Sequence, residues 1–172
     1  MIKAIWCQNQ DGLIGDKGKL PFHNKEELKL FKSITSYSIV CMGRKTWDSL
    51  PSKPLPLRTN IILTRNKEFC TTSDNTFVVH SISEVLKIYE GYGDRDLFII
   101  GGKEVYEQFK PYLEEVIISQ VNSYKKGDTY ITKKDFGIGK TFHKFYGDGF
   151  CTKWYKVNKK KIKGVVNEKK GI

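Results

Sequence analysis

Apolar residues arrive in short runs broken by polar, glycine-containing stretches. IKAIWCQ (2–8), SIVCMG (38–43), NIILT (60–64), TFVVHS (76–81), DLFIIGG (96–102) and EEVIISQV (114–121) are rich in Ile and Val and read as buried strands. Segments of helical spacing lie between them. Residues 24–34 have Asn24 as N-cap, with Glu26 and Glu27 in a first turn where the helix dipole favours acids. GRKTWDSLP (43–51) is a short helix stopped by Pro51, and ISEVLKIYE (82–90) and KEVYEQFKPYL (103–113) are two more. DGLIGDKGKLP (11–21) reads as a loop. Past residue 121 the pattern thins, and KWYKVNKKKIKGVVNEKK (153–170) suggests a hairpin turning near Gly164.

This alternation predicts an α/β fold: a single domain over 1–172, with a central, mostly parallel twisted sheet flanked by helices on both faces and a C-terminal antiparallel hairpin. In such sheets ligands bind beyond the carboxyl ends of the strands. A chain of 172 residues suits one domain, and it shows no internal repeat or long linker. No apolar run approaches the ~20 residues of a membrane span. The start, MIKAIWCQNQDG, turns polar too early for a signal peptide, so a cytoplasmic protein is expected.

Cys7, Cys41, Cys70 and Cys151 are scattered without a C-x-x-C pair, which predicts reduced, mostly buried thiols rather than disulfides or zinc. The net charge of +11 raises the question of a polyanion partner. Residues 153–172 carry eight lysines and one glutamate, leaving 22 basic against 18 acidic residues before them. The excess is therefore a lysine-rich C-terminal strand or tail, and a nucleic-acid module, which would spread cations along one face, is disfavoured.

Three strand-to-helix junctions could carry chemistry. Gly43 is followed by Arg44, Lys45 and Thr46; Gly101 and Gly102 by Lys103; and Leu63 by Thr64 and Arg65. Glycine lets the backbone approach a ligand, and free N–H groups with cations and hydroxyls suit phosphate. Each junction alone is weak, but three together point to a phosphorylated ligand laid across strand ends. Neither G-x-G-x-x-G nor a Walker motif is present. His23, His80 and His143 lack ligand spacing, so surface or loop roles are expected and no metal site is predicted. A phosphate site without nucleophile or metal points to cofactor chemistry such as hydride transfer.

The motifs I-x8-D-G-x-I-G, L-P-F followed by E-L-x-x-F-K, M-G-R-K-T-W-x-S-L-P, P-L-P-x-R-x-N-I-I-L-T-R, I-I-G-G-x-x-V-Y-E-Q-F and G-D-T stand in this order between Ile2 and Thr129. (The leucine of DGLIG occupies the variable position.) In this the chain resembles dihydrofolate reductases, which reduce 7,8-dihydrofolate with NADPH. The resemblance implies that Glu27, immediately before Leu28 and four before Phe31, accepts hydrogen bonds from the pterin 2-amino and N3 groups; Glu26 falls one position too early. It implies that Arg58 pairs with the α-carboxylate of the glutamyl tail, and that Leu28, Phe31, Leu50 and Leu55 line the p-aminobenzoyl pocket. The carbonyls of Ile5 and Ile100 would meet the pterin 4-side, with Tyr106 nearby and Ser119 standing for a family threonine.

For NADPH, the resemblance implies Arg44, Thr64 and Arg65, at the end of Leu63, around the 2′-phosphate. Gly43, Lys45 and Thr46 would lie on the pyrophosphate side. Gly101 and Gly102 match a pair that the family joins by a cis peptide, leading into Lys103, Glu104 and Val105. Cys7, Ile14 and Gly15 would contact the nicotinamide or its ribose. Residues 9–24 would be a mobile lid with Leu20 at its tip. Phe22 stands where the family has tryptophan, keeping an aromatic wall without the indole N–H that helps hold a water. Lys103 replaces a frequent glycine. A riboflavin-pathway pyrimidine reductase shares fold and cofactor but should lack Glu27-Leu28-x-x-Phe31 with Arg58. The length leaves no room for a fused thymidylate synthase. The expected partner is the small-molecule substrate alone, with neither membrane nor nucleic acid, and the expected state a monomer.

Overall fold

The computed structural model describes residues 1–162. β1 (Ile2–Gln8), β3 (Ile39–Gly43), β4 (Thr59–Leu63), β5 (Thr76–Val79), β6 (Leu97–Gly101) and β7 (Glu115–Val121) form a parallel sheet in the order β5-β4-β3-β6-β1-β7. β10 (Phe150–Ile162) and β9 (Phe136–Gly147) extend it antiparallel beyond β7. A small ribbon pairs β2 (Leu13–Gly15) with β8 (Thr129–Tyr130). The helices are α1 (Lys25–Thr35), α2 (Arg44–Ser49), α3 (Ile82–Gly91) and α4 (Lys103–Phe109), the last continued by a 3-10 turn over Lys110–Tyr112.

The strands read as unbroken apolar runs because both sheet faces are covered. Trp6, Ile61, Ile99 and Ile118 pack on one face with Val85 of α3 and Val105 and Phe109 of α4. On the other, Ile5, Val40, Met42, Phe98 and Ile117 lie under Trp47 of α2 and Phe31 and Ile34 of α1. Burying one such large side chain stabilises the fold by about 1.5–3 kcal/mol.

Two expectations need correction. The described hairpin is β9–β10, turning through Asp148 and Gly149, with Gly149 at φ +74. Residues 153–162, in which the sequence suggested the first arm of a hairpin, are instead part of its second strand; Gly164 lies outside the described residues. A strand of 13 residues with Lys at 153, 156, 159, 160 and 161 has no alternating apolar face to announce it. All four cysteines are free as expected, but only Cys7 and Cys41 are buried, while Cys70 is exposed and Cys151 half-buried.

The sheet itself makes the cleft. β1 pairs with β6 only as far as Ala4 opposite Ile99. Beyond that point β1 stays with β7 to Gln8, and β6 stays with β3 to Gly101. The two central strands therefore part at their carboxyl ends, where an open α/β sheet binds ligands.

Candidate active site

The parting of β1 and β6 opens into a cavity of about 670 Å3. Its acidic end is built by α1. Asn24 caps that helix, its side-chain oxygen accepting from the N–H groups of Glu26 and Glu27 at 3.1 and 3.0 Å. Glu27, Phe31 and Ile34 are spaced i, i+4, i+7, so one helical face carries all three toward the sheet. Glu27 is 6 % exposed. Glu26, about 100° round the helix, is exposed and accepts from the Asp148 N–H at 2.9 Å. Burial pushes the Glu27 carboxyl above its usual range, and the Ser119 hydroxyl bonded to it acts in the opposite direction. A buried carboxylate in an apolar pocket needs partners.

Leu28, Phe31, Leu50 and Leu55 line the cavity next to Glu27. Ile5 and Ile100 line its floor, and the Tyr106 hydroxyl donates to the Ile5 carbonyl at 2.8 Å. Cys7, Ile14, Gly15 and Leu20 close the side formed by the 9–24 segment. That segment is tied down at several points. The Asn9 side chain donates to the carbonyls of Ser123 and Lys125 at 3.1 Å each, and accepts from the N–H groups of Asp11 and Leu13 at 3.0 Å each. Residues Asp16–Lys19 make a tight turn with Lys17 and Gly18 at positive φ, and Leu20 is 48 % exposed at the rim.

The opposite end is cationic. Gly43, Arg44, Lys45 and Thr46 open α2; Leu63, Thr64 and Arg65 end β4; and Gly101 through Val105 lead into α4. The Gly101–Gly102 peptide is cis. Gly101 has φ +139, a conformation that favours glycine, and a Cβ there would crowd Thr46 Oγ1 at 3.1 Å. The cations are partly matched by acids. Arg65 pairs with Glu104, and Arg44 reaches Asp48 at 3.6 Å while its guanidinium sits 4.8 Å from the Phe69 ring centre. Cations over glycine-exposed backbone next to an apolar trough suit a phosphorylated cofactor with a flat ring.

Three of the predicted residues stand behind the cavity wall rather than on it. Arg58 is buried, donating to the Pro56 carbonyl at 2.9 Å and the Thr35 hydroxyl at 2.9 Å, with its guanidinium 6.0 Å from the Phe31 ring centre. Phe22 packs with Cys7, Val121, Phe150 and Leu30. Ser119 is buried under Glu27. The cavity also takes in residues the sequence did not offer: Trp6, Gly18, Lys19, Ser49, His80, Ser81, Gln108 and Thr129. His80, for which a surface or loop role is expected, lies in the loop after β5 and lines the cavity, its Nδ1 2.8 Å from the Thr64 carbonyl. The rule that flagged the other strand ends applies equally to β5 and would have found His80 and Ser81. Thr129 needed the β2–β8 ribbon, which places it against Gly15.

A sequence model of the dihydrofolate reductase family matches residues 1–146. The dihydrofolate reductase of Ureaplasma parvum is 36 % identical over 162 residues, covering 94 % of this chain and all of that one. That of Lactococcus lactis is 36 % identical over 148 residues, covering 83 % and 88 %. Among solved structures, the Enterococcus faecalis dihydrofolate reductase complexed with NADP(H) and RAB-propyl superposes with a TM-score of 0.80 at 28 % identity, over 92 % of this chain and 96 % of that one.

Proposed function

The chain belongs to the dihydrofolate reductase family and reduces 7,8-dihydrofolate to 5,6,7,8-tetrahydrofolate with NADPH, and from that premise we propose how its residues do so. The observation that carries the proposal is the buried Glu27 carboxylate facing a cavity whose far end is cationic. Glu27 accepts hydrogen bonds from the pterin 2-amino and N3 groups, which fixes and polarises the ring. Ile5 and Ile100 offer carbonyls to the 4-side, and Leu28, Phe31, Leu50 and Leu55 hold the p-aminobenzoyl group. Arg58, braced by Thr35 and Pro56, presents its remaining guanidinium donors to the tail carboxylate.

Arg44, Thr64 and Arg65 hold the 2′-phosphate, and Lys45, Thr46 and the Gly101–Gly102 backbone hold the pyrophosphate. The donor set fits that group: three cations and two hydroxyls beside backbone that no Cβ obstructs. When bound, NADPH supplies the hydride that reduces C6. The chain's own part is to stack two flat rings face to face, exclude water, and admit a proton to N5 through ordered water near Glu27 and Phe22. The 9–24 segment closes that side with Leu20 at its tip. Glu27 with Arg58 distinguishes this substrate from a ribose phosphate, which has no glutamyl tail.

We propose a monomer acting in the cytoplasm; one chain lines the cavity, and, as a separate fact, no helix among the described residues is long and apolar enough to cross a membrane. Dihydrofolate-dependent oxidation of NADPH, inhibited by methotrexate, is the expected result with purified protein; its absence would overturn the proposal.

A further inference from the structure

Among the described residues, two acids line the cavity. Glu27 stands at the pterin end. Glu104 stands at the other, among Arg44, Lys45, Arg65 and Lys103. A carboxylate there repels the phosphate that those cations attract, so its presence needs a reason.

The contacts of Glu104 offer one. Arg65 follows β4, and Glu104 lies in the first turn of α4, which follows β6. β3 runs between β4 and β6 in the sheet. Arg65 and Glu104 are ion-paired, so their contact joins elements on either side of the end of β3. The same Glu104 oxygen also accepts from the Gln108 side chain at 3.4 Å. Asp48, by contrast, pairs with Arg44 inside α2 and bridges nothing. The Arg65 and Glu104 side chains are 85 % and 63 % exposed. An ion pair so open to water contributes little and exchanges partners at little cost. A phosphate monoester, with up to two negative charges and three acceptor oxygens, is the stronger partner for a guanidinium.

Resting on the reading of Arg65 as a 2′-phosphate ligand, we propose that Glu104 is a specificity-determining residue: it holds Arg65 in the free protein, must yield it to the 2′-phosphate, and so lowers the preference for NADPH over NADH. Binding of NADPH exchanges one partner of Arg65 for another, and only the difference between the two counts toward affinity. NADH carries a hydroxyl in place of that phosphate and leaves the pair closed. An acid in the first turn also complements the dipole of α4. That role needs only its place in the helix and does not discriminate between the two cofactors.

The test measures dissociation constants for NADPH and NADH by calorimetry at fixed pH and ionic strength. Wild type, Glu104→Gln, Arg65→Ala and the double variant are compared, with a melting curve for each. Glu104→Gln should tighten NADPH about two- to fivefold and NADH less, so that the preference for NADPH rises. Glu104→Ala repeats the comparison without an amide that could keep hold of Arg65. With Arg65 already replaced by Ala, removing the carboxylate should gain clearly less. An unmoved preference in both Glu104 variants, with or without a lower melting temperature, would leave Glu104 as a helix-end acid and overturn the inference. An equal gain with and without Arg65 would mean that the carboxylate only repels the phosphate, and would overturn the exchange. A preference unmoved by Arg65→Ala alone would instead remove the 2′-phosphate reading of Arg65, and the inference with it.

Discussion

Replacing Glu27 by Gln keeps the shape of the α1 face and removes the charge. The two proposed hydrogen bonds to the pterin change from charge-assisted to neutral, and the Gln amide can reach the ring with one oxygen in place of two. Hydrogen bonds to charged groups contribute about 1.5–3 kcal/mol each against about 1 for neutral pairs. With one neutral bond in place of two charged ones, the loss on the reaction path is about 2–5 kcal/mol, or roughly a 30- to 5,000-fold fall in kcat/KM. Fold stability should not fall in parallel, because burial already disfavours the ionised acid. Glu26→Gln is the internal control, since that side chain is solvent-exposed and its partner is the Asp148 N–H of the β9–β10 turn. The assay is NADPH oxidation with dihydrofolate, read with thermal melting of each variant. Equal losses in the two variants, or a Glu27→Gln enzyme within about threefold of wild type, would refute the assignment of Glu27.

Glu27 also has a signature in stability. Its folded pKa lies above the unfolded value, so its contribution is fully present below the unfolded pKa and is lost as pH rises through the folded one; denaturant titrations should show a downward slope across that acidic window in wild type, and Glu27→Gln should remove it. Asn9→Ala removes four hydrogen bonds from a fully buried side chain and should destabilise by about 2–4 kcal/mol; a change below about 1 kcal/mol in chemical denaturation would contradict the anchoring of the 9–24 segment. Gly12→Ala meets a φ of +85 and the Ile131 carbonyl at 2.5 Å from the new Cβ, so a drop in melting temperature is expected, and an unchanged one would mean the ribbon yields freely. Arg44→Ala should raise KM for NADPH far more than for NADH in steady-state assays; equal effects would place the 2′-phosphate elsewhere.

Much of the site could be read from local pattern. The resemblance separated Glu27 from Glu26, and the structure shows the face behind it: Glu27, Phe31 and Ile34 at i, i+4, i+7 turn toward the sheet. Two strand ends announced themselves by glycine followed by cations or hydroxyls, and a third by Thr64 and Arg65 after Leu63. His80 and Ser81 follow the same strand-end rule but have neither glycine nor Lys or Arg to mark them. The long hairpin escaped because β9 is the edge strand with β10 beside it, where little of either strand is buried and the period-2 signal fades into lysines, exposed aromatics and bulges.

The sequence by itself determined which segments are buried strands and where backbone can approach a ligand, because burial and turn-forming glycine are local properties of composition and spacing, while its family motif singled out Glu27 as the inward acid. Only the tertiary structure decided that β1 and β6 part after Ala4 and Ile99, that Arg58 is braced behind the wall by Thr35, and that Thr152 lies across from Ser119. These depend on strand order and register between residues far apart in the chain, 101 positions for the Tyr106 hydroxyl and the Ile5 carbonyl, and no single segment carries that information.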